Sequence, residues 1–190
     1  MRLHAALLLI FFFAGCAAVP EATAPGAAAE PSAATVDRNL YRLGSGDRIR
    51  VEIFGEPDLT TESSLEVTGT INYPLIGRIQ AAGLTLKELE QSIYTKLKQG
   101  YLKNPNVRAS IIQFRPIYVI GQVHHAGSYP YIEGLSVEKA IALAGGMTPI
   151  ASSRKIYVLR ESAPQNQREH AQLETPVYPG DTIVVEESLF

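Results

Sequence analysis

"LGSGDRIRVEIFG", Leu43 to Gly55, has an echo at the other end of the chain, "YPGDTIVVEE", Tyr178 to Glu187. Both pass from a glycine turn through Gly-Asp into apolar residues. Gly46 and Gly180 suit a left-handed turn conformation that costs other residues strain. The carboxylates of Asp47 and Asp181 can accept hydrogen bonds from nearby backbone N–H groups, as Asx turns do. Ile49, Val51 and Ile53 alternate with Arg48, Arg50 and Glu52, which predicts a half-buried strand. Ile183 to Val185 is continuously apolar and predicts a strand buried on both faces. Gly-Asp before a strand is ordinary turn chemistry, so a catalytic reading of the two aspartates is set aside.

Between these strands a second pattern repeats. "GLTLKEL" at 83–89 resembles "GLSVEKA" at 134–140. In the first, Thr85 and Glu88 have the spacing of a capping box, with Leu84 and Leu89 placed as a hydrophobic staple. Leu86, Leu89, Ile93 and Leu97 share one face, which predicts a helix over about 86–98. In the second, Ser136 is the cap and Val137, Ile141 and Ala144 form the apolar side. Gly145 or Gly146 supplies the left-handed stop, and Pro149 blocks resumption. Each helix keeps company with strand-like runs. "LEVTGTINYPLIGRIQ" predicts a hairpin around Thr68-Gly69, and "PIYVIGQVHHAGSYPYIE" another around Ala126-Gly127. "NVRASIIQF" follows the first helix and "KIYVLRE" the second. The expected fold is α+β: two small mixed-sheet domains in tandem, each with one main helix, dividing near Phe114 to Pro116.

The N-terminus reads as an address. "MRLHAALLLIFFFAGC" has Arg2 in a short basic head, an apolar run from Ala5 to Phe13, and small residues before Cys16. That run is too short to span a bilayer and right for a signal peptide. "FAGC" resembles the lipobox of bacterial lipoproteins, with Phe13 where that pattern prefers Leu. Cys16 is the single cysteine of the chain, and lipidation accounts for a lone thiol in an exported protein. The Ala- and Pro-rich stretch that follows has little to bury and is expected to be a disordered tether. At about 3.3 Å per residue, its roughly twenty residues reach ~70 Å extended and ~25 Å as a coil. Residues 17 and 18 are both Ala. Inner-membrane lipoproteins often carry Asp directly after the Cys, so by that resemblance the expected destination is the outer membrane, facing the periplasm. The domain plan is therefore 1–15 signal peptide, 16–38 tether, 39–114 first domain and 115–190 second domain.

The folded part resembles a known family. "YRLGSGDRIRVEIFGEPDLT", "INYPLIGRIQAAGLTLKELEQSIYTKLKQGYLKNPNV" and the order in which they come are similar to the polysaccharide export domain of bacterial capsule and exopolysaccharide exporters. "IYVIGQVHHAGSYPYIEGLSVEKAIALAGGMT" with the late "VYPGDTIVVEE" is similar to the soluble ligand-binding β-grasp (SLBB) module that follows it. The second domain is then expected to be β-grasp-like. Two departures stand out. Thr68-Gly69 replaces the usual Asp-Gly. The sequence also stops at Phe190, where larger exporters carry further repeats and a C-terminal amphipathic helix that builds the outer-membrane pore. The chain thus resembles the short members, for which a separate outer-membrane channel is expected. The resemblance further implies a homo-oligomeric ring, an inner-membrane polysaccharide copolymerase as partner, and polysaccharide as cargo.

Three functions were weighed. The first is a non-enzymatic periplasmic lipoprotein of a polysaccharide export conduit. The second is a periplasmic ligand-binding or adaptor lipoprotein that forms no conduit. The third, a glycan hydrolase, would need a carboxylate pair, and none stands out from turn and surface positions. No cofactor or metal is expected. His124-His125 point to opposite faces of a strand and read as a hairpin tip. Tyr129 and Tyr131 read as packing rather than sugar platforms. With 17 basic and 19 acidic residues and a net charge of −2, the chain carries no nucleic-acid footprint.

Overall fold

The structure is a computed structural model that describes residues 40–163 and 167–188, all of which fall in one compact unit. Two hydrophobic clusters organise it. In the first, β1 (Arg48–Ile53) is the middle strand of a three-stranded antiparallel sheet, between β2 (Thr61–Ser64) and β5 (Val107–Gln113). Its alternation is realised: Ile49, Val51 and Ile53 are buried while Arg48, Arg50 and Glu52 face water. A separate hairpin, β3 (Thr70–Tyr73) with β4 (Gly77–Gln80), adds Ile71, Tyr73 and Ile79 to the cluster. The helix α1 (Leu86–Lys98) closes it with Leu89, Ile93 and Leu97. Glu90, also on α1, ties the helix to the sheet, its Oε1 accepting from the Ala109 N–H of β5 at 2.7 Å.

The first hairpin lies elsewhere than the sequence suggested. The β3–β4 ladder closes at Pro74–Ile76, and Leu65–Val67 forms no strand. Pro74 has no N–H to extend a ladder, and the chain reverses directly after it. Thr68-Gly69 still turns, with the Gly69 N–H donating to Glu66 O and Glu66 N–H to Thr70 O. That turn is not a free tip, however. The Gly69 carbonyl accepts from the N–H groups of Ala81 and Ala82, and a Cβ at Gly69 would sit 2.5 Å from the Ala82 Cβ.

The second cluster is built on a five-stranded mixed sheet of β6 (Ile117–Gly121), β7 (Gly127–Tyr129), β8 (Ala151–Leu159), β9 (Arg168–His170) and β10 (Thr182–Glu187), in the order β7-β6-β10-β8-β9. β10 is central, parallel to β6 and antiparallel to β8. α2 (Val137–Leu143) covers one face, packing Val137, Ala140 and Ile141 with Ile117, Val119, Ile156, Val158, Ile183 and Val185. Val184 is only half-buried, and its neighbours in the pairing register, Ile120 and Tyr157, share its side of the sheet. A single helix covers only one face, so β10 alternates instead of being buried on both. The architecture is α+β, two small units in tandem. The clusters meet at Tyr41, which packs against both. An edge-to-face chain of rings crosses there, Tyr41 to Phe114 at 5.1 Å and Phe114 to Tyr131 at 5.3 Å.

Candidate functional site

The two Gly-Asp turns come together at this junction. Gly46 (φ 92°) and Gly180 (φ 87°) both take the left-handed conformation, and the aspartate after each is buried, Asp47 at 0% and Asp181 at 2% exposure. Asp47 accepts four hydrogen bonds: from the Gly44 N–H (2.8 Å), the Arg115 N–H (2.8 Å), Arg115 Nη1 (3.0 Å) and the Tyr41 hydroxyl (2.7 Å). Asp181 accepts from the Tyr178 N–H (2.8 Å), from Arg160 Nη1 (2.5 Å) and from the Glu161 N–H. The two clusters share one plan. Each carboxylate holds the N–H three residues before it, a backbone N–H two residues outside a strand of the second sheet, and a guanidinium. Each guanidinium in turn lies over a tyrosine of its own turn, Arg115 over Tyr41 at 5.6 Å and Arg160 over Tyr178 at 5.2 Å.

Outer carboxylates give each arginine a second partner. Glu161 pairs with Arg115 Nε, and Glu169 with Arg160 Nε at 3.1 Å. The Arg115–Glu161 pair lies directly against both turns. A Cβ on Gly44 would fall 2.3 Å from Arg115 Nη1, and one on Gly180 would fall 1.9 Å from Glu161 Oε2. Glycine is needed at 180 for this close approach as well as for its φ. Burial raises the Asp181 pKa above its ordinary value, against the opposing pull of the Tyr178 N–H and of Arg160. Burial also pushes the Tyr41 phenol far above its usual value, and Asp47 adds to the effect. Burial works against the Arg115 charge, but Tyr41, Asp47 and Glu161 outweigh it. Charges taken this far from water persist only when paired and hydrogen-bonded. Between the turns lies an open cleft of about 460 Å³, lined by Leu40, Tyr41, Arg42, Arg115, Arg160, Glu161, Ser162, Tyr178, Pro179 and Asp181.

Chemically this is a lock and a cleft. Asp47 is fully buried and holds four donors, three on Oδ2 and one on Oδ1, which fits a structural carboxylate. Among the described residues no group of three or more His, Cys, Asp or Glu could hold a metal ion. The cap residues sit apart from the junction. Thr85 Oγ1 accepts from the Glu88 N–H at 3.3 Å, and Glu88 Oε2 accepts from the Thr85 N–H at 2.8 Å. At the end of α2, Gly145 (φ 80°) and Gly146 (φ 88°) donate to Ala142 O and Ile141 O, a Schellman motif. His124 and His125 are exposed, Tyr129 is half-buried, and Tyr131 is buried. Cys16 lies outside the described residues. Sequence reasoning missed Arg115, Arg160, Tyr41 and Tyr178 as partners of the aspartates. A signal was present, since "YRLGSGD" and "YPGD" both begin with Tyr.

Residues 35–112 match the family described as polysaccharide biosynthesis/export protein, and residues 116–169 match the SLBB domain. The chain is 30% identical over 119 residues to the exopolysaccharide production protein ExoF of Rhizobium meliloti (strain 1021), a stretch that covers 56% of this chain and 28% of that protein. It is 35% identical over 123 residues to the polysialic acid transport protein KpsD of Escherichia coli, covering 62% of this chain and 22% of that one. The matched stretch therefore spans less than a third of the length of either relative.

Proposed function

Because the chain belongs to the bacterial polysaccharide export family, with an export domain followed by an SLBB domain, we propose that it is a non-enzymatic periplasmic lipoprotein of a polysaccharide export conduit across the outer membrane. The observation that carries this reading is the pair of consecutive matches in that order over 35–169. In this reading the lipid on Cys16 holds the protein to the outer membrane, with residues 16–38 as its tether, 39–114 as the export domain and 115–190 as the SLBB domain. Copies pack into a ring, and glycan passes through it to a separate outer-membrane channel, fed by an inner-membrane copolymerase. Among the described residues no helix is long and apolar enough to cross a membrane. That the relatives are named for exopolysaccharide production and for polysialic acid transport supports a polysaccharide cargo without choosing between the two. The test is deletion of the gene, with cell-surface and periplasmic polysaccharide measured before and after complementation. Surface polymer should fall, and wild-type protein should restore it. Unchanged surface polymer in the deletion strain would overturn the proposal.

A further inference from the structure

The junction cleft has a property that the lock alone does not use. Its arginines are more than neutralised: Arg115 pairs with Asp47 and Glu161, and Arg160 with Asp181 and Glu169, so each cation faces two carboxylates. Each guanidinium makes these bonds through Nε and Nη1, so that among the described residues neither Nη2 has a hydrogen-bond partner. The side-chain hydroxyls of Tyr178 and Ser162 are likewise unbonded among the described residues, and Tyr178 is 39% exposed. All four residues line the same cleft. Its volume of about 460 Å³ lies in the range of small-ligand sites, which favour domain junctions and apolar walls with a few convergent polar groups.

The charge balance selects the ligand class. Two arginines already neutralised do not call for an anion, and a carboxylate or phosphate would have to displace Glu161 or Glu169. What remains is a set of uncommitted donors in a cleft that Tyr178 and Leu40 also line. A pyranose offers the complement: hydroxyls that accept and donate around its rim, and a C–H face that rests on an aromatic ring. A second feature lies beside the cleft, where Tyr131 packs edge-to-face on Phe114 and Phe114 on Tyr41 of the cleft wall. The Tyr131 hydroxyl is the one buried side-chain polar atom without a partner among the described residues. Burial pushes its pKa up to about 12, and the charges of Glu133, Tyr178 and Asp181 add to that. Unmet polar groups thus gather near the junction, whereas buried polar atoms are ordinarily satisfied.

We propose that this cleft is a binding subsite for one or two uncharged sugar residues of a glycan, with Tyr178 as the stacking surface and Arg115 Nη2, Arg160 Nη2 and the Ser162 hydroxyl as donors. The choice of a sugar rests on the export reading, but the assay does not. Binding is read on purified protein and export in cells, so either can fail alone. The experiment is saturation-transfer NMR on the full chain in detergent. Maltose, lactose and diacetylchitobiose serve as neutral probes and glucuronate as the charged one. At least one neutral disaccharide should show saturable transfer with a dissociation constant in the millimolar range, about −4 kcal/mol. Tyr178→Ala should weaken it by roughly tenfold or more, as loss of a central aromatic contact does. Ser162→Trp, which fills the cleft from an exposed position, should abolish it, while Tyr101→Ala, at a distant exposed tyrosine, should leave it unchanged. A thermal midpoint unchanged in Ser162→Trp keeps that result free of misfolding. No transfer from any neutral disaccharide, tighter binding of glucuronate than of every neutral probe, or binding unaffected by both cleft variants would each overturn the proposal.

Discussion

Arg115 is the residue on which the junction turns. Its side chain is 15% exposed and that of its partner Asp47 not at all, so removing it leaves a buried carboxylate without its counter-charge. Breaking a buried pair in this way costs about 3–5 kcal/mol, and Arg115→Ala should lower the urea midpoint accordingly. Arg115→Lys should rescue little, because an ammonium cannot reach Asp47, Glu161 and the Tyr41 hydroxyl in a planar fork. Arg50, in an exposed pair with Glu62, is the contrast. Arg50→Ala should leave the midpoint almost where it was. An Arg115→Ala midpoint equal to that of Arg50→Ala would remove the lock from the account. The aspartates themselves were legible as turn residues from Gly-Asp alone. Arg115 was not, because its side-chain partners lie 74, 68 and 46 residues away and a lone arginine at a domain boundary has no periodic signature.

At the scale of the element, α1 was legible from end to end. Its cap, its reciprocal Glu88 and its apolar stripe all point the same way, and helix signals are local. Thr85→Ala removes the acceptor for the Glu88 N–H and should cost about 1 kcal/mol. An unchanged urea midpoint and slope would contradict that. The Glu88 carboxyl is held below its ordinary value of 4.5, first by the Thr85 N–H and also by Arg42. A carboxylate whose pKa is lower in the folded state stabilises that state above the unfolded value, and the contribution is lost as pH falls through the folded one. Stability followed downward from neutral pH should therefore lose this contribution below 4.5, and Glu88→Gln should flatten that part of the profile. An identical acid limb in Glu88→Gln would show that the carboxylate contributes nothing there. The short strands were harder. β2 reads "TESS" and β9 reads "REH", polar edge strands with no buried residue, and without a buried face there is no alternation to find. The first hairpin was misplaced for a related reason. Two turn signals, Thr68-Gly69 and Pro74–Ile76, lie a few residues apart, and only the packing of Ala81 and Ala82 on Gly69 decides between them.

At the scale of the whole molecule, the two cores follow from repeated local patterns, whereas their junction follows from long-range pairing that no local pattern records. The mode of attachment is a proposal that rests on the signal and on Cys16. Cys16→Ser should abolish incorporation of labelled acyl chains and release the protein into the periplasmic fraction. Wild-type protein that takes up no label would end the lipoprotein reading. The central claim is the conduit, and imaging of the purified, lipidated protein in detergent tests it most directly. The account predicts closed rings of many copies with a central opening. Particles of single-chain mass at all protein concentrations would contradict it and leave an adaptor that binds glycan without conducting it.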